Sequence, residues 1–213
     1  MSPSILDSHE KHPHSPTFRI TNYKISRRAD KELIAEFIYQ FTVNFPRRLT
    51  VHRSCAVIQD KFTYTVYPTS GLVNITKIKC RSAIPTAIKH FEVIVRRIDS
   101  KLASQICRSY GEPWSLDNIS AAGCFGFELR LGELGSVVTR GLEEPAQFKF
   151  NLESFSGAFT QFRPSSGSAK EFRKGTLCAF ASGKFWIVGV RDEGRARRIF
   201  EIMSAAALQA RTP

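Results

Sequence analysis

The stretch Gly175-Thr-Leu-Cys-Ala-Phe-Ala-Ser-Gly-Lys-Phe-Trp-Ile-Val-Gly-Val-Arg191 decides the fold. Two short β-rich runs flank Ser182-Gly183, and glycine supplies the unusual backbone angle of a tight turn, so the pattern predicts a hairpin. Past the turn the side chains alternate: Lys184, Trp186 and Val188 share one face, Phe185 and Ile187 the other. Phe180 stands just before the turn, at the hairpin tip. A weaker copy lies upstream, Thr63-Tyr-Thr-Val-Tyr-Pro-Thr-Ser-Gly-Leu-Val-Asn-Ile-Thr-Lys-Ile-Lys79. There Ser70-Gly71 matches Ser182-Gly183, Ile75 matches Ile187, and Lys79 matches Arg191. Such a copy signals an internal duplication.

Outward from each hairpin the order of elements is the same. In the first half, Phe18 to Ile25 reads as a strand, and Asp30 caps a helix carrying Leu33, Ile34, Phe37 and Ile38 on one face. Asn44-Phe-Pro-Arg-Arg48 ends that helix, and Leu49 to His52 and Ser54 to Gln59 are strands leading into the hairpin. Ser82 to Leu102 reads as one long helix, with Ser82 as N-cap and Pro85 in the first turn, where a missing N–H costs little. Its apolar stripe is Ile84, Ile88, Phe91, Val95, Ile98 and Leu102, and Lys89, Arg96, Arg97 and Lys101 lie off it. Tyr110-Gly-Glu-Pro-Trp114 interrupts the chain, and the order restarts. Asn118 to Ala122 is a strand, Leu129 to Val138 a short helix with Leu131, Leu134 and Val138 inward, and Gln147 to Phe150 and Gly157 to Phe162 are strands. Pro164 to Ala169 is a loop; after the hairpin a helix runs from Asp192 to about Leu208 with Ala196, Ile199, Phe200 and Met203 inward. Ser54-x-Ala56-x-x-Gln59 returns as Ser156-x-Ala158-x-x-Gln161, and Asn22 corresponds to Asn118. The class is α+β. A tail at 1–16 precedes repeats at 17–109 and 110–213, each an antiparallel sheet with two helices on one face. Joined edge to edge, the two form one sheet whose other face is uncovered.

The charge says what that face would meet. Thirty-one Lys and Arg against nineteen Asp and Glu leave a net charge of +12, which points to a polyanion, most simply nucleic acid. Five cysteines without C-x-x-C spacing (Cys55, Cys80, Cys107, Cys124 and Cys178) fit reduced, mostly buried thiols rather than a metal site or disulfide framework. His9, His12 and His14 sit in the polar, proline-bearing tail, expected to be disordered, which offers no scaffold for a metal. No apolar run is long enough to span a bilayer, and the first residues lack the apolar region of a signal peptide. No spaced carboxylate cluster, phosphate-binding loop or nucleophile motif is present, so neither an enzyme nor a cofactor is expected. On the open face the hairpins place Asn74 and Thr76 in one half and Trp186 and Val188 in the other, rimmed by Lys79, Lys184 and Arg191. Few donors on a broad shallow face suit the reading of shape.

With these motifs in place the sequence resembles the TATA-box-binding protein family from about Phe18 to Leu208, more strongly in the second half. Asn118 through Leu131 is similar to the family's first strand and helix start. Leu152-Glu-Ser-Phe-Ser-Gly157 resembles its E-L-F-P-G stirrup, and Ala179-Phe-Ala-Ser-Gly-Lys184 its I-F-V-S-G-K. The resemblance implies a pseudo-two-fold saddle with helices on the convex side, its concave sheet lying in the minor groove of A·T-rich double-stranded DNA. Paired phenylalanines there unstack base steps at about a few kcal/mol each, for which the family is the standard example. Phe155 and Phe180 match the second-half wedges, Asn118 the asparagine donating to the minor groove, and Lys184 and Arg191 the phosphate contacts. Gln161, and Asn22, Arg53, Gln59, Asn74, Thr76 and Lys79 of the first half, are assigned to the same surface with Trp186 and Val188. Glu153 falls in the stirrup that meets transcription factor IIB, and the basic helix with Lys89, Arg96 and Arg97 resembles the surface taking other regulators. The resemblance also implies placement in the nucleus, or at the site of viral transcription. The first half departs from the pattern: Arg53 stands opposite Phe155, and Tyr67 or Pro68 opposite Phe180. Weaker, salt- or partner-dependent binding and an asymmetric bend are therefore expected. A module that kept the saddle to dock transcription proteins, with weak or non-TATA DNA binding, is the alternative.

Overall fold

The computed structural model describes residues 15–111, 113–151, 153–162 and 174–213. The histidines of the tail and the Pro164–Ala169 loop lie outside the described residues.

The first half runs β1 (Thr17–Arg28), α1 (Lys31–Asn44), a short 3-10 turn, β2 (Leu49–Val51), β3 (Ala56–Gln59), β4 (Thr63–Tyr67), β5 (Leu72–Ile78), α2 (Ile84–Ile98) and α3 (Ser100–Ser109). The second runs β6 (Ser115–Cys124), α4 (Leu131–Arg140), β7 (Ala146–Lys149), β8 (Gly157–Phe162), β9 (Gly175–Phe180), β10 (Lys184–Val190) and α5 (Glu193–Gln209). The ten strands among the described residues form one antiparallel sheet in the order β2-β3-β4-β5-β1-β6-β10-β9-β8-β7. Exchanging the halves leaves that order unchanged, so a pseudo-two-fold axis passes through the β1/β6 seam. Tyr23 pairs with Ile119 there, Asn22 with Ser120 and Lys24 with Asn118, which makes Asn22 and Asn118 two-fold counterparts.

The helices cover one face only. Along β10, Phe185, Ile187 and Val190 are buried against them while Trp186 and Val188 stay partly open on the other side. This is the alternation expected of a sheet with one dry and one wet face. α1 packs on β4, α2 on β5, α4 on β7 and β8, and α5 on β10, β9, β6 and β1. Reaching β1 lets α5 tie the halves together. Phe18 stacks on Phe200 at 5.2 Å, and the Tyr23 hydroxyl donates to Glu193 Oε1 at 2.8 Å. Burial, helped by that carboxylate, pushes the Tyr23 phenol pKa up to about 12.

Both hairpins turn on glycine for two reasons at once. Gly71 and Gly183 adopt φ +67° and +76°, and a Cβ would lie 2.1 Å from the Ala29 carbonyl oxygen and 1.9 Å from that of Phe127. The turns press on equivalent points of the chain before α1 and α4, and Ala29 and Phe125 donate their N–H groups to the Gly71 and Gly183 oxygens.

The long helix expected from Ser82 to Leu102 is two helices. Asp99 adopts extended backbone angles (φ −154°, ψ 119°), and its carboxylate accepts from the N–H groups of Lys101 at 2.7 Å and Leu102 at 3.0 Å, capping α3. Ser82 lies in a 3-10 turn ahead of α2 and makes no capping bond. The first half thus carries three helices rather than two. The cysteines also differ from expectation. All five are free, but only Cys178 is buried; Cys55 and Cys124 are half-buried, and Cys80 and Cys107 are exposed. Cys80 leaves β5 into a turn, and Cys107 faces outward from α3, so neither meets the core.

Candidate nucleic-acid interface

Residues directly opposite one another in paired strands share a face, so the register maps the open side row by row. One row runs Phe159–Cys178–Trp186–Ala122–Arg19. Its two-fold counterpart runs Val57–Thr65–Asn74–Ser26–Ser115. A second pair of rows is Gln161–Thr176–Val188 and Gln59–Thr63–Thr76. Ala158 pairs with Ala179 and Gly157 with Phe180, while Ala56 pairs with Val66. Tyr67, not Pro68, therefore stands where the second half has Phe180.

At the second-half end, Phe155 and Phe180 meet edge to face at 5.8 Å, with Phe155 39% exposed. Gly157 makes room for them: a Cβ there would lie 2.6 Å from the Phe155 ring and 2.8 Å from Cys178 Sγ. Asn151 sets the loop that presents Phe155, accepting the Glu153 N–H on Oδ1 and the Phe155 N–H on its backbone oxygen, both at 3.0 Å. Glu153 is exposed on that loop; Leu152 of the stirrup motif lies outside the described residues. Phe159, which sequence reasoning missed, stacks on Phe155 at 5.1 Å and meets Trp186 edge to face at 5.8 Å.

Near the seam, Asn118 Oδ1 accepts the Gly189 N–H at 2.7 Å. A backbone donor fixes which way the amide lies, so Asn118 offers its NH2 group to the open face, with Ser120 Oγ 3.5 Å away. The counterpart bond is not made: Asn22 Oδ1 is buried without a partner. The cations differ in their surroundings. Lys184 and Arg53 are exposed, Lys79 Nζ donates to the Thr21 oxygen at 3.4 Å, and Arg191 Nε to the Asp117 oxygen at 3.4 Å. Asn74, expected on the solvent side, lies on the open face but is only 5% exposed, because Thr65 and Ser26 flank it. Arg19, Lys24 and Arg28 of β1 also fall on this face by register and were missed; Lys24 Nζ lies 4.0 Å from Asp117 Oδ2. Lys89, Arg96 and Arg97 are exposed on α2, on the opposite side of the molecule from these groups.

Among the described residues, no group of three or more His, Cys, Asp or Glu side chains could hold a metal ion, and no helix is long and apolar enough to cross a membrane. No protein-family model matches the chain, and no curated protein does. Solved structures do. One described as Methanococcus jannaschii TBP superposes with a TM-score of 0.60 at 18% identity, covering 92% of this chain and 100% of that one. The fold is thus the two-repeat saddle of the TATA-box-binding protein, its concave side the open face mapped above.

Proposed function

We propose that this saddle binds the minor groove of promoter DNA, bends it and recruits initiation factors, as a general transcription initiation factor without catalytic activity. The observation that carries the reading is the placement of groups on the concave face. Asn22 and Asn118 flank the seam, where A·T-rich DNA presents acceptors in its minor groove. Phe155 and Phe180 stand together at one end, where a wedge would enter a base step. Lys79, Lys184, Arg191 and Arg53 border the face and would meet phosphates. Gln59, Gln161, Thr76, Trp186 and Val188 supply the remaining contact surface. Glu153 would meet a transcription factor IIB-like protein, and Lys89, Arg96 and Arg97 other regulators. The place of action is then the nucleus, or the site of viral transcription. The domain reading proposed with it is a tail at 1–16 and repeats at 17–109 and 110–213.

The test is DNA bending read by end-to-end energy transfer on short A·T-rich and G·C-rich duplexes. Phe155→Ala with Phe180→Ala should remove the second-half kink, about 20–90° per wedged step, with the melting transition retained. An unchanged bend overturns the wedge assignment. A second reading, a saddle that docks transcription proteins with weak DNA contact, is favoured by one observation: Tyr67, not a phenylalanine, stands opposite Phe180 in the register, and the sequence repeat sets Arg53 opposite Phe155. Absence of both A·T preference and bend would select it.

A further inference from the structure

The halves of the concave face differ in kind between two-fold counterparts. Phe159, Phe180 and Trp186 in the second half stand against Val57, Tyr67 and Asn74 in the first, and the sequence repeat sets Arg53 opposite Phe155. The four rings are one unbroken surface, linked by contacts of 5.1 to 5.8 Å; Gly157, Cys178, Ala122 and Val188 around them add no strong hydrogen-bonding side chain, and Arg19 stands beyond Ala122 at the end of the row. The first half instead lines its floor with Thr65, Asn74, Ser26 and Ser115, beside Lys24 and Arg28.

A paired minor groove presents acceptors along its floor and no ring faces. Four aromatic rings gathered there have no ring face to stack on until a base step is opened. Unstacked bases do present ring faces, and they stack on aromatic side chains whatever the sequence. Breaking a stack is cheapest where bases are already unpaired. We propose that the second half of the concave face is a receptor for unstacked bases, so that the preferred ligand is the boundary between duplex and unpaired DNA. The intact minor groove would lie on the polar first half, with open bases against Phe155, Phe159, Phe180 and Trp186. This rests on the concave face being the DNA surface and names which DNA it takes.

The test compares three oligonucleotides of one sequence by competition against the full chain: a paired duplex, the same duplex with a two-base bubble toward one end, and the single strand. The bubble duplex should bind at least tenfold tighter than either other form, about 1.4 kcal/mol. Phe159→Leu and Trp186→Leu keep apolar bulk but remove ring faces, and should bring the bubble-to-duplex ratio close to one; a thermal melt reports their folding. The unmutated chain supplies a second readout, since 2-aminopurine at the open position should lose fluorescence on binding as it stacks. Equal affinity for paired and bubble duplexes, or no fluorescence change, overturns the proposal and leaves minor-groove binding standing. A single strand that matches the bubble duplex also overturns it. No binding to any of the three removes the minor-groove reading as well.

Discussion

Lys77 has φ at 63°, in the left-handed region, where its two-fold counterpart is Gly189 at 78°. Both sit at the irregularity where the last strand of a hairpin meets the seam strand, with register shifts between Tyr23 and Ile25 on one side and Ile187 and Val190 on the other. Glycine adopts such angles without strain and lysine does not, so the first half holds about 1–2 kcal/mol of backbone strain that the second avoids. Lys77→Gly should therefore stabilise by about 1 kcal/mol after the extra unfolded-state entropy of glycine, raising the melting midpoint by about 2–4 °C. A lowered midpoint would mean that the lysine side chain outweighs its backbone. Other residue-scale features were only partly legible in the sequence. The alternation that puts Gln161 on the open face also puts Phe159 there, and that signal was available. The bond from Gly189 to Asn118 joins residues 71 apart and depends on the register irregularity, which no local pattern announces.

The hairpins and α1 were legible because their signals are local: period-two alternation around a glycine turn, and an aspartate before a 3.6-period stripe. Asp30 caps α1 as expected, accepting from the Glu32 and Leu33 N–H groups at 2.9 and 3.1 Å. The α2–α3 break was not legible, because the stripe continues across it from Ile98 to Leu102 at helical spacing. Nothing in the hydrophobic pattern marks Asp99; only its capping chemistry does. Asp99→Ala should cost about 1 kcal/mol, since α3 loses the acceptor for two N–H groups, and lower the melting midpoint by about 2–4 °C. Ser82→Ala should stay within about 0.5 kcal/mol, because Ser82 caps nothing. Equal losses from both substitutions would contradict this assignment of the cap.

At the scale of the whole molecule, the duplication was legible from paired motifs, whereas the unlike character of the two concave halves emerged only when register aligned Trp186 with Asn74 and Phe159 with Val57. Among the described residues seven cations lie on or beside that face: Arg19, Lys24, Arg28, Arg53, Lys79, Lys184 and Arg191. If each meets one phosphate, affinity should fall about several thousandfold between about 50 and 200 mM salt, read as the slope of log affinity against log salt. A slope near zero would remove phosphate contact from the account. The strand order also has a consequence for synthesis. β1 is made first yet sits at the centre of the sheet, so while the first half emerges from the ribosome one side of β1 waits for a partner that does not yet exist. At about 5–20 residues per second, β6 follows the end of α3 within about one to three seconds, and α5 within about 5–20 seconds. During that interval the nascent chain carries an open, self-complementary edge, and two neighbouring chains on one messenger could pair β1 with β1. Among the described residues the finished sheet ends at its margins in β2 and β7, three and four residues long, too short to invite the same error.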